Sequence, residues 1–258
     1  MDTRHKKLND KQIHILKLLF KFRFLTAPLL ARYKDLTKDS VNKSLKVLLE
    51  QEYIGRKYNK NYKLLGKAAE YFLAPKALRL LRDEHGLDPV MLHSMYKNKS
   101  VSEAFINQSL AICELYLRLN TAYPVMFDIY TKTELASLDY VPSPAPSLLL
   151  ERKHSSSKDT NTYFLDIFDN IPFFVIKKRL QLYVDHLDSG DWEQPGYPTL
   201  LLVVETSAQE YKVLKEAERL LNAGDELDIM TTTKKSLLAP IGESGVWSKP
   251  ESELLHGL

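Results

Sequence analysis

The sequence predicts an α/β chain, α+β overall, with a small helical head followed by a larger mixed-sheet part. Three observations carry this. The charge is divided: residues 1–85 hold 20 Lys and Arg against 9 Asp and Glu, a net of +11, residues 86–124 are neutral, and residues 125–258 carry −8. Between Thr37 and Phe72 a helix with one polar face runs straight into a basic hairpin. Beyond Tyr123 the pattern reads strand, strand, strand, helix, strand, helix, strand, the order of an α/β layer with a mixed sheet. At 258 residues, with 44% hydrophobic and 27% charged side chains, the composition is that of a globular chain of one or two domains.

In the head, Ile13, Leu16, Leu19 and Phe20 repeat at helical spacing behind Asp10, which is expected to cap a first helix. Thr26 caps a second, with Pro28 in its first turn and Leu29, Leu30 and Tyr33 turned inward. Asp39 or Ser40 is expected to cap a third, in which Val41, Leu45, Leu48 and Leu49 face the core. Its polar side carries Lys38, Ser40, Asn42, Lys43 and Lys46, side chains that reach phosphates and base edges. Ile54 then leads into a hairpin with Arg56, Lys57, Tyr58, Lys60, Tyr62 and Lys63 about its tip, returning through Tyr71, Phe72 and Leu73. This is the layout of a winged helix-turn-helix, so residues 1–86 are expected to form a domain that binds double-stranded DNA. The third helix would enter the major groove, and Arg56, Lys57, Tyr58, Lys60 and Lys63 would lie on backbone or minor groove.

Pro75 opens a further helix that Gly86 ends, with Leu78 and Leu81 packing back on the head. Residues 87–123 are expected to be a helical connector. A helix from about Ser100 to Asn120 shows a wide apolar face of Val101, Phe105, Ile106, Leu110, Cys113, Tyr116 and Leu117, read as core, as a strut, or as the seam of a homodimer. Cys113 is the single cysteine and is expected in the core, and His14 is expected to be structural.

Residues 124–258 are the expected α/β domain. A buried strand runs through Leu200–Val204, Gly190 and Gly224 close two helices, and Trp247 anchors the tail. No phosphate-cradling glycine loop, nucleophile elbow or zinc-spaced Cys/His cluster occurs, so no cofactor is expected. The strand order is similar to that of restriction-endonuclease-like nucleases, which hold Mg²⁺ on strand-borne acids with a lysine beside them. The candidates for such a site are Glu151, Asp166, Asp169 and Lys177. The usual (D/E)-x-K is missing, because Asp166 is followed by Ile167 and Phe168. The expectation is therefore a degenerate nuclease-like domain without a metal, and a metal-dependent nuclease is the alternative.

Taken with Y-F-L-A-P-K-A at 71–77, F-L-D-I-F-D at 164–169 and K-R-L-Q-L-Y at 178–183, the chain resembles the replication-relaxation family of plasmids and integrative elements. It departs from that pattern at Ala74 and Ala77, where Thr and Gly are usual, and at Pro144-Ala145, where the Asp of the family's Pro-Asp-Ala loop is missing. The resemblance implies DNA binding linked to plasmid replication, mobilisation or transcription control. A third reading makes the −8 domain an interaction platform that recruits a basic partner such as a replication or conjugation protein. No apolar run reaches the roughly 18 residues of a membrane span. The start M-D-T-R-H-K-K-L lacks the apolar region of a secretory signal, so a cytoplasmic protein is expected.

Overall fold

The computed structural model describes residues 7–34, 36–58, 60–87, 89–153, 162–194, 196–221, 227–238, 247–249 and 255–256. Asn9 begins the first helix: its side chain accepts the Gln12 N–H at 2.9 Å, and its own N–H donates to the Gln12 side chain at 3.0 Å. This reciprocal cap opens α1, Asp10–Phe22. Asp10, expected as the cap, is instead in the first helical turn, where its charge suits the positive end of the helix. A two-residue strand, β1 (Leu25–Thr26), leads to α2 (Ala27–Lys34), whose Leu29 N–H is taken by the Thr26 hydroxyl at 3.4 Å. Helix α3 (Lys38–Glu50) is capped by Thr37, not by Asp39 or Ser40. Thr37 has the extended backbone that a cap needs, and its hydroxyl accepts from the Ser40 N–H at 3.3 Å.

Strand β2 (Ile54–Lys57) and strand β3 (Glu70–Leu73) form the hairpin, and a helical turn, α4 (Lys60–Leu64), occupies its tip in place of a simple loop. The three strands order as β1-β3-β2, all antiparallel, with Leu25 opposite Tyr71 and Ile54 opposite Leu73. Helix, strand, helix, helix, strand, wing, strand is a winged helix-turn-helix. Next come α5 (Pro75–His85), ended by left-handed Gly86, then α6 (Pro89–His93), a 3₁₀ stretch Ser94–Ser100, and α7 (Glu103–Ala122).

The chain divides into two compact units, Met1–Leu117 and Arg118–Leu258. In the first, Leu16, Leu19, Leu30, Val41, Leu45, Leu48, Ile54, Leu73, Leu78 and Leu81 share one core, each at most 3% exposed. Leu92, Met95 and Cys113, from the stretch expected as a connector, lie in that same core. Tyr116 on α7 meets Phe22 edge-on at 5.2 Å and stacks on Tyr33 at 5.8 Å. Burial pushes the Cys113 thiol up to about 12, so it stays protonated and acts as a small core residue.

The second unit holds β4 (Phe127–Thr131), α8 (Lys132–Leu135), β5 (Leu148–Arg152), β6 (Thr162–Phe168), α9 (Phe173–Ser189), β7 (Thr199–Val204), α10 (Ser207–Leu220), β8 (Ile229–Thr233), α11 (Lys234–Leu238), β9 (Trp247–Ser248) and β10 (Leu255–His256). Seven strands order as β10-β9-β8-β7-β6-β5-β4. Strands β6, β7 and β8 are parallel, which requires the crossover helices α9 and α10, and the flanking strands are antiparallel. Every residue of β7 is buried, as its unbroken apolar run requires of a central strand. Phe164, Ile176, Leu180, Tyr183, Leu202 and Val213 fill the core, left-handed Gly190 ends α9, and Trp247 is fully buried. Gly224 and the polar stretch 154–161 between β5 and β6 lie outside the described residues. Among the described residues, no helix is long and apolar enough to cross a membrane.

One close approach fixes the wing to the head. Gly55 pairs with Phe72, and a Cβ added at Gly55 would stand 2.4 Å from the Phe72 ring. That ring is itself buried and packs on Phe24 at 5.5 Å. Gly55→Ala should therefore lower stability by about 1–3 kcal/mol through overpacking, read as a lower urea midpoint with unchanged slope.

Candidate functional site

Helix α3 sorts its side chains by period. Val41, Leu45 and Leu48 are buried, which turns Lys38, Asn42, Lys43 and Lys46 outward, all exposed. Lys38, Asn42 and Lys46 fall four residues apart and form one row, with Lys43 beside it. Ser40 is half-buried, and its carbonyl accepts the Ser44 hydroxyl at 3.2 Å. Lys46 stands 3.8 Å from Glu50, but both are exposed, so the pair is weak and leaves the ammonium available.

The wing presents a second cationic group. Arg56 is exposed and lies over the Tyr58 ring at 5.6 Å, and Tyr58 meets Tyr62 edge-on at 5.8 Å. Lys63 is exposed on α4, whereas the side chain of Lys60 lies outside the described residues. Lys57 does not join this surface. It is half-buried, and its ammonium donates to the Val101 carbonyl at 2.9 Å, 5.9 Å from the centre of the Phe24 ring. The base of the wing is tied by Tyr62 together with three groups not singled out from sequence, Lys67, Glu70 and Glu103. The Tyr62 phenol donates to Glu70 at 3.1 Å, and Lys67 pairs with Glu103 at 2.5 Å. Burial raises the Glu70 carboxyl above its ordinary value, against the bond from Tyr62 and the charge of Lys67. At the other end of β1, Arg23 donates to Asn98 at 2.6 and 3.1 Å, and burial lowers its guanidinium.

No protein-family model matches the chain, and no curated protein matches it. Among solved structures it is similar to the adhesin competence repressor AdcR from Streptococcus pyogenes, with 20% identity over 41% of this chain and 75% of that one, at a TM-score of 0.28. It is also similar to ZitR from Lactococcus lactis. One variant shares 23% identity over 46% of this chain and 77% of that one, and another, solved in complex with DNA, shares 23% over 48% and 80%, both at TM-scores of 0.28. Likeness at these TM-scores fixes neither the fold nor a partner of this chain. The winged helix is established by its own strand pairing and helix order.

In the second unit the four nuclease candidates are not brought together. Asp166 accepts the Ser147 N–H and hydroxyl, each at 2.9 Å, the Arg179 Nε–H at 2.6 Å and the Tyr183 phenol at 2.7 Å. Both of its oxygens are therefore engaged, and Arg179 reaches on to the Pro144 carbonyl at 2.5 Å. Glu151 sits four residues along β5 from Ser147, a span of about 13 Å. Asp169 pairs with Lys234 at 2.5 Å, and Lys177 pairs with Glu216 at 3.2 Å. Among the described residues, no three His, Cys, Asp or Glu side chains stand together as a ligand set. The residues that organise the unit instead are Arg179 and Tyr183, one turn apart on α9.

Burial alone would raise the Asp166 carboxyl, but Arg179, Tyr183 and the Ser147 N–H outweigh it and hold it below the ordinary carboxylate value. Its folded value is thus below the unfolded one. The stability it lends is complete above the ordinary carboxylate range and is lost as pH falls through the folded value. Arg179→Met should cost about 3–5 kcal/mol at neutral pH, because it leaves a buried carboxylate unpaired. Urea unfolding of the variant and the parent at neutral and acidic pH measures both effects, and the gap between the two proteins should narrow on the acid side.

Proposed function

We propose that this protein binds double-stranded DNA in a sequence-specific way, as a transcriptional regulator or as an accessory factor in plasmid replication or mobilisation. The observation that carries the proposal is the exposed row of Lys38, Asn42, Lys43 and Lys46 on α3, beside a wing that offers Arg56, Tyr58 and Lys63. Lysines bind phosphates without regard to sequence, whereas an exposed amide such as Asn42 bonds adenine through two atoms at once. The face therefore has both a positioning and a specifying component. Lys57 contributes field, not direct contact, because its ammonium is held by the Val101 carbonyl.

The plasmid role is supported by the resemblance of the post-wing and α/β stretches to the replication-relaxation family. On that view the acidic second unit is a nuclease-like layer serving as a platform for a replication or conjugation protein, in the cytoplasm. A metal-dependent nuclease is not proposed, since Asp166, Asp169 and Lys177 are held in ion pairs within the unit. We also propose a homodimer, because one small head reads few base pairs and two half-sites give usable specificity. Ile106, Cys113 and Tyr116 of α7 are already packed in the head, which favours the α/β unit as the seam. Light scattering at tens of micromolar should report twice the chain mass, and a monomer there would refute the dimer.

Selection from random duplexes with the full chain should enrich one sequence. Asn42→Ala should weaken binding to it by about 1–3 kcal/mol and relax the preference at one base pair. Lys43→Ala should weaken binding to all duplexes alike and make the salt dependence shallower by about one unit of log–log slope. Recovery of no enriched sequence would contradict the proposal.

A further inference from the structure

The tip of the wing carries two leucines that no part of the head covers. Leu64 is 85% exposed and its neighbour Leu65 is 68% exposed, at the end of α4. They do not hang from a loose loop. The Leu65 N–H donates to the Asn61 carbonyl at 2.9 Å, and the Lys67 N–H donates to the Tyr62 carbonyl at 2.8 Å across left-handed Gly66. That is a closed helix end, which fixes the direction of the chain. Below it, Tyr62 on Glu70 and Lys67 on Glu103 hold the tip to its base. An adjacent pair of large apolar side chains, exposed to water on a closed helical turn, marks a contact surface.

The surroundings indicate the kind of partner. From Ile54 to Ala69 the sequence has five basic residues, Arg56, Lys57, Lys60, Lys63 and Lys67, and no Asp or Glu. Lys57 is held by the Val101 carbonyl and Lys67 by Glu103, while Arg56 and Lys63 are exposed. Such a tip complements a polyanion and repels a basic protein face. It also continues the surface of α3 and β2 that is proposed to lie on the duplex. The minor groove is about 6 Å wide, too narrow for a helix, yet proteins insert single apolar side chains there to part base steps.

We infer that Leu64 and Leu65 form an apolar wedge that enters the minor groove of the bound duplex, partly unstacks a base step and bends the DNA. This rests on the DNA-binding function proposed above. The flanking Lys63 and Arg56 hold phosphates on either side of the opened step, and the bend brings more backbone within their reach. Proteins that insert wedges in this way kink the duplex by about 20–90°.

The test uses the duplex enriched by selection with the full chain, labelled at its two ends with a donor and an acceptor dye. Binding of the unaltered protein should raise energy transfer between the ends. The double variant Leu64→Ala, Leu65→Ala should still bind that duplex but leave energy transfer at the value of free DNA. Its circular dichroism and melting should match the parent, since both side chains are exposed. Lys43→Ala, by contrast, should weaken binding while any complex that forms remains bent, which separates this inference from the DNA reading itself. The inference is overturned if the unaltered protein binds without changing energy transfer, or if the double variant bends DNA as the parent does. It is also overturned if the double substitution abolishes self-association in light scattering, or abolishes co-sedimentation with phosphatidylserine vesicles, while leaving the bend intact. The tip would then serve a second copy of this chain or a lipid surface.

Discussion

The contact between the Phe72 ring and the backbone of Gly55 sets the geometry of the basic surface. Strand β3 is central in the small sheet, so Phe72 fixes the wing strand β2 on one side, while Phe24 and Ile106 hold the ring on the other. Strand β2 follows α3 after a short turn in which the Tyr53 N–H is taken by the Leu48 carbonyl at 2.9 Å. The wing strand is thereby seated on one packed ring and joined to α3 through that turn. A side chain at Gly55 would push the ring away and disturb the seat of the wing. The positioning of the charged groups is thus an outcome of apolar packing.

The second unit deals with charge in the opposite way. There a carboxylate and a guanidinium are both removed from water, with side chains only 9% and 11% exposed. Burying such a pair is costly unless its remaining bonding capacity is filled. Here Ser147, Tyr183 and the Pro144 carbonyl fill it. The effect is to lock α9 against β6 and against the chain entering β5. An acid that looks like a metal ligand on its strand is therefore a structural anchor.

Much of this was legible in sequence, for identifiable reasons. The 3.6-residue repeat of Val41, Leu45 and Leu48 announces α3, the apolar run Leu200–Val204 announces a central strand, and Gly86 and Gly190 mark helix ends because left-handed backbone favours glycine. What was missed depends on tertiary partners. Asn9 and Thr37 cap where Asp10 and Asp39 or Ser40 were expected, because all are good caps and only the backbone decides. Lys57 sits in a run of wing cations, yet its alternation along β2 turns it toward Val101. Arg179 is the third member of a Lys-Lys-Arg run and reads as surface. Its burial is visible only once α9 is laid on β6, placing it over Asp166.

The head has acids of its own near the wing, and their disposition explains why its outer face is cationic. Glu70, on β3, is 3% exposed and accepts from Tyr62, while Glu103 is occupied by Lys67. Because burial raises the Glu70 carboxyl, its cost to the head is greatest when it is ionised and falls as pH drops through its folded value. That cost is borne where Glu70 accepts the Tyr62 phenol and so ties α4 to β3. Glu70 stands opposite Lys57, which is itself turned to the Val101 carbonyl, so this acid and that lysine are both withdrawn from the outer face. With Glu103 on Lys67, this leaves Arg56 and Lys63 as the outward charges of the wing among the described side chains.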